Sequence, residues 1–151
     1  MIYISIPVKF RKLLNESRLE TAATETLNAL NDQNSKSVVV KMTGDRELQK
    51  LNKTYRGIDK PTDVLSFEND YTDPETGEQY LGDIVISLET AAIQAEVNAN
   101  SLQHEVEMLL VHGVLHLAGH DHATKAERDL MSNLQDKVLD SIRNPLRESI
   151  Q

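Results

Sequence analysis

Between Met108 and Ala118 the only polar side chains are His112 and His116. The apolar residues around them point all round a helical wheel, so a helix over about 102–118 must be covered on most sides. A chain with such a segment has to build its other elements around it. It must also satisfy two enclosed imidazoles, because an unsatisfied buried polar group costs roughly 1–3 kcal/mol. A lone buried histidine is more often a satisfied core residue. Here the pair is followed by a glycine and further histidines, in HGVLHLAGHDH at 112–122.

His112 and His116 stand four residues apart, which on a helix places their Cβ atoms about 5–6 Å apart on one face. Two nitrogens so placed can each lie about 2.0–2.1 Å from one zinc ion. Gly119 can stop the helix in the left-handed conformation and reverse the chain. The reversal can bring His122 back over the metal as a third ligand. Three histidines leave one coordination position open for water, the catalytic rather than the structural arrangement. The chain has no cysteine, so thiolate zinc, iron–sulfur and disulfide chemistry are excluded. His104 lies on the same stripe but about 12 Å away along the axis, too far to share the ion. It is read as a surface residue or as one in the layer behind the ligands. Asp121 is read either as an acceptor for a liganding imidazole or as a turn residue.

The spacing H-x-x-x-H-x-x-G-x-x-H matches metzincin proteases, whose second position is a glutamate acting as general base. Here that position is Gly113. A glycine inside a helix costs about 1 kcal/mol relative to alanine. Its presence implies that something approaches the backbone closely, either substrate or a packed strand.

The rest of the chain supplies the cover. Its 151 residues suit one domain, 1–151. Strands are expected at MIYISI (1–6), Ser37–Thr43, Val64–Phe67 and Leu81–Ser87, the last two as an antiparallel hairpin with a long loop. Helices are expected at about 15–31, 46–55 (capped by Asp45, with Leu48, Leu51 and Tyr55 inward), 88–98, 102–118 and 124–142. Four strands and four or five helices out of strict alternation indicate an α+β domain with a four-stranded mixed sheet. No apolar run approaches the roughly 20 residues of a membrane span, and the start lacks a signal peptide. A soluble cytoplasmic protein is expected, with no membrane partner.

The net charge of −8 argues against a general nucleic-acid binder, but the charge is uneven. Residues 61–124 hold 12 Asp/Glu and no Lys or Arg. Within 46–60, Arg46, Lys50, Lys53, Arg56 and Lys60 face only Glu47 and Asp59. This stretch is read as solvated helix charge or as a local phosphate-binding patch.

The histidine block, with LNKTYRGIDKPTDVLSF at 51–67, LGDIVIS at 81–87 and HE at 104–105, resembles the YbeY family of bacterial rRNA maturation factors, which are metal-dependent endoribonucleases. The resemblance covers about residues 48–131. It implies an α+β, zincin-like fold and one Zn²⁺ per chain at His112, His116 and His122. It also implies that Arg56 serves RNA cleavage, with single-stranded RNA as substrate in rRNA processing and ribosome quality control. Ribosomes or ribosomal proteins are the expected partners. One departure is His120, where the family often has an aromatic residue. Three imidazoles also accept Ni²⁺. Arg56 can grip a phosphate through two parallel hydrogen bonds and offset transition-state charge. Asp121 and Asp63 are weak candidates for a base, and Asp83 is read as structural. Two other readings stand beside the nuclease. One is a metallopeptidase lacking its glutamate. The other is a non-catalytic ribosome assembly factor with a structural metal.

Overall fold

The computed structural model describes residues 1–30, 35–120 and 123–143. Among them the chain forms strands β1 (Ile2–Ser5), β2 (Lys36–Thr43), β3 (Val64–Glu68) and β4 (Gln79–Ser87). Five α-helices accompany them: α1 (Glu16–Asn28), α2 (Asp45–Arg56), α3 (Leu88–Val97), α4 (Leu102–Leu117) and α5 (Lys125–Arg143). The sheet order is β1-β2-β4-β3. β1 and β2 pair in parallel, as do β2 and β4, while β3 runs antiparallel to β4. This is the expected α+β fold with a mixed sheet and the expected β3–β4 hairpin.

Each strand alternates its side chains between two faces. On one face Val38, Val40 and Met42 of β2 and Ile84 and Ile86 of β4 pack against Val106, Leu110, Val114 and Leu117 of α4, with Leu19 and Ala23 of α1. On the other face Leu65 and Val85 pack against Leu48 of α2, with Leu51 and Phe67 partly buried beside them. Burial of each such side chain contributes roughly 1.5–3 kcal/mol. Val111 and Leu115 on the far side of α4 meet Met131, Val138 and Leu139 of α5. The expectation that α4 is enclosed on most sides holds. Two of its stripes are claimed by sheet and α5, and the stripe with His112 and His116 is left half-buried beside β3.

Two details differ from expectation. Asp45 does not cap α2. The cap position is Gly44, and the Asp45 carboxylate instead accepts from the Ser87 (2.6 Å) and Thr90 hydroxyls, tying α2 to the start of α3. Tyr55 does not point inward with Leu48 and Leu51 but is 66% exposed. β3 is an edge strand, so the last turn of α2 has no further strand to pack on.

Candidate active site

His112 and His116 project from the last two turns of α4. Their Nε2 atoms lie 3.1 Å apart, with ring centroids 4.6 Å apart and the planes at 72°. Gln135 of α5 fixes the first ring, with its Oε1 3.3 Å from His112 Nδ1. An amide oxygen only accepts, so this contact is a hydrogen bond in the tautomer with the proton on Nδ1, which leaves the Nε2 lone pair toward the partner histidine. Gln135 lies 23 residues downstream, and nothing in its local sequence announces this role.

Gly119 ends α4 as expected, with φ 95°. Its N–H donates to His116 O (3.0 Å) and that of His120 donates to Leu115 O (3.0 Å), the paired bonds of a left-handed helix stop. His122 and Asp121, expected as third ligand and as its acceptor or a turn residue, lie outside the described residues. His120 lines a neighbouring cleft of about 660 Å³, together with Glu68, Asn69 and Leu117, rather than the one holding the histidine pair.

That second cleft, about 350 Å³, is bounded by His112 and His116 on one side and by Val64, Ser66 and Glu68 of β3 on the other. Arg56, Thr62 and Asp63 complete it. Arg56 arrives from the end of α2, on the opposite face of the sheet, and turns into the cleft past the edge strand. The structure thus brings together Arg56, His112 and His116. The Ser66 hydroxyl donates to Gly113 O (3.3 Å) and ties the wall of the cleft to the histidine helix.

Gly113 itself faces the sheet. A Cβ there would lie 2.9 Å from Ile84 Cγ2 and 3.1 Å from Cδ1. The close approach inferred from the sequence is therefore that of a packed strand. A side chain at 113 would enter the core rather than the cleft.

The carboxylates near the site are largely committed. Asp63 Oδ1 accepts from Val64 N (2.7 Å) and the Thr62 hydroxyl (3.3 Å), and its Oδ2 accepts from Gln94 Nε2 (3.3 Å). Asp83 accepts from the Tyr80 hydroxyl. Burial, reinforced by that carboxylate, pushes the Tyr80 phenol up to about 12. Asp83 alternates with Ile84 along β4 and so leaves the sheet on the face away from the histidines. His104 is half-buried near Glu107 and Arg143; burial, then Arg143, lowers its pKa. Arg46, Lys50, Lys53, Arg56 and Lys60 are all exposed, four on α2 and one in the loop after it.

Fold and site together define an α+β domain with a histidine-pair cleft at the edge of its sheet. The family described as Endoribonuclease YbeY matches residues 6–143. An Endoribonuclease YbeY from Dehalococcoides mccartyi (strain CBDB1) is 38% identical over 96% of this chain and 95% of its own length. Another from Sulfurihydrogenibium sp. is 41% identical over 88% of this chain and 87% of its own. The solution structure of TM1509 from Thermotoga maritima superposes with a TM-score of 0.65 at 28% identity, covering 99% of this chain and 93% of that one. The chain belongs to the YbeY family.

Proposed function

We propose that this chain is a metal-dependent endoribonuclease that cuts single-stranded RNA in the maturation of ribosomal RNA and in ribosome quality control. The observation that carries the reading is the His112–His116 pair, 3.1 Å apart at Nε2, facing Arg56 across a cleft. Two ligands of one tetrahedral zinc ion stand about 3.3 Å apart when each bond is about 2.0–2.1 Å, so the pair fits a shared ion. Imidazole donors with no thiolate suit Zn²⁺, and Ni²⁺ as well. His112 and His116 would hold it, with His122 as the third ligand that the sequence suggests.

When bound, the ion supplies Lewis acidity toward a phosphoryl oxygen or a water molecule. The chain's own groups do the rest. Arg56 grips the phosphate through its guanidinium fork and offsets charge developing in the transition state. Gln135 holds the His112 ring in the tautomer that presents Nε2 to the cleft. Ribosomal RNA as substrate implies the ribosome or its proteins as partner, and the cytoplasm as location. No helix among the described residues is long and apolar enough to cross a membrane.

The test is cleavage of end-labelled single-stranded RNA by wild type, His116→Ala and Arg56→Glu, purified in parallel. Wild type is expected to cut, His116→Ala to be inactive, and Arg56→Glu to be inactive while still binding metal. Equal cutting by all three would assign the activity to a contaminant and remove the reading. Metal-dependent cutting by Arg56→Glu alone would remove the role given to Arg56.

A further inference from the structure

The last turn of α2 overhangs the edge strand β3. There Tyr55, 66% exposed, meets Phe67 in an edge contact, with centroids 5.1 Å apart and planes at 65°. The contact fixes the ring, and the exposure leaves a face open to solvent. Ile58, 40% exposed, lies three residues further along the chain.

The surroundings are cationic and lead to the cleft. Arg56, the next residue, lines the cleft of His112 and His116. Lys53 and Lys60 flank the aromatic residue in sequence and are exposed. Lys53 has Asp59 at 3.9 Å, but with both side chains more than 60% exposed (67% and 62%) that pair is weak. Ser66 and Phe67 are successive on β3, so one faces the cleft and the other supports Tyr55. The aromatic surface and the histidine cleft therefore occupy the two sides of one edge strand, with Arg56 bridging them.

We propose that Tyr55 is a base-stacking platform for single-stranded RNA. It would take a nucleotide next to the one held at the histidine pair, with Arg56, Lys53 and Lys60 on the intervening phosphates. The inference rests on the nuclease reading above. An aromatic face beside a basic track is the chemistry that binds single strands without sequence preference, because every base has a π-face. The acidic stretch 61–124 places no basic residue along β3 and β4, so the basic track on this edge comes from the end of α2 and the loop after it.

The test uses oligouridylates carrying one abasic site, moved along the strand, bound to uncleaving His116→Ala protein. Cleavage of the intact strand by wild type is measured in parallel. At one position near the scissile bond the abasic site is expected to weaken binding by roughly tenfold. Tyr55→Ala in the same background is expected to weaken the intact strand by a similar factor and to be insensitive to the abasic site at that position. Tyr55→Trp is expected to keep both the affinity and the sensitivity. A merely structural tyrosine would leave the abasic profile unchanged in shape. An abasic profile with the same dip in Tyr55→Ala, or a flat one in the parent that still binds RNA, would overturn the platform and leave the nuclease reading standing. Absence of RNA binding by the parent together with absence of wild-type cleavage would overturn both.

Discussion

Gly113→Ala pits two effects of known size against each other. Alanine is favoured over glycine inside a helix by about 1 kcal/mol. Against this, the new methyl would sit 2.9 Å from Ile84 Cγ2, 3.1 Å from Cδ1 and 3.3 Å from Cγ1. Ile84 is fully buried on the central strand β4, and its Cγ2 is fixed to a branched Cβ, so the methyl cannot swing aside without leaving its rotamer. Overpacking of this kind costs typically about 1–3 kcal/mol, and three contacts at a rigid residue place it in the upper part of that range. The expected net loss is about 1–2 kcal/mol, or a fall in Tm of roughly 2–8 °C for a chain of this size. Urea and thermal unfolding followed by circular dichroism measure it. Ile84→Ala provides the control. It costs about 2–5 kcal/mol by itself, but in that background the added methyl meets a cavity, and Gly113→Ala becomes neutral or stabilising by up to about 1 kcal/mol. A Gly113→Ala protein more stable than wild type, or an equal loss in both backgrounds, would refute the steric account. Because Gly113 O accepts from Ser66, lifting α4 from the sheet also disturbs the cleft, so RNA cleavage should fall along with stability.

Other perturbations have equally definite signs. Arg18 Nη2 lies 3.1 Å from Glu107 Oε1, and the glutamate side chain is only 1% exposed. Arg18→Ala should cost about 1–3 kcal/mol in urea unfolding, and Glu107→Gln should recover part of it by neutralising the stranded carboxylate; purely additive losses would contradict the pairing. His104 has a folded pKa below its ordinary 6.5, chiefly through burial, so the unfolded chain binds more protons as pH falls through that value. Its contribution is therefore lost below about pH 6.5, and His104→Gln should flatten the stability–pH curve there; an unchanged slope would contradict it. Asn52, 3% exposed, donates through Nδ2 to Lys60 O at 2.9 Å. Asn52→Ala should destabilise by about 1 kcal/mol and lower RNA cleavage by loosening the loop beside Arg56, with wild-type turnover as the contrary result.

Much of this protein is legible along the chain. The alternation in MIYISI at 1–6 reads as a strand, and the apolar run around His112 and His116 reads as an enclosed helix. The four-residue spacing reads as one face, and Gly119 reads as a helix stop. These signals depend on residues within a turn or two of each other, where backbone geometry alone decides what meets what. The tertiary structure decided what depends on partners far apart in sequence. It chose Ile84, rather than substrate, as the neighbour of Gly113. It brought Gln135 to His112 and committed Asp63 to Val64, Thr62 and Gln94. It also left Tyr55 outside although its spacing matches Leu48 and Leu51, because periodicity says which residues share a face but not where the sheet beneath that face ends.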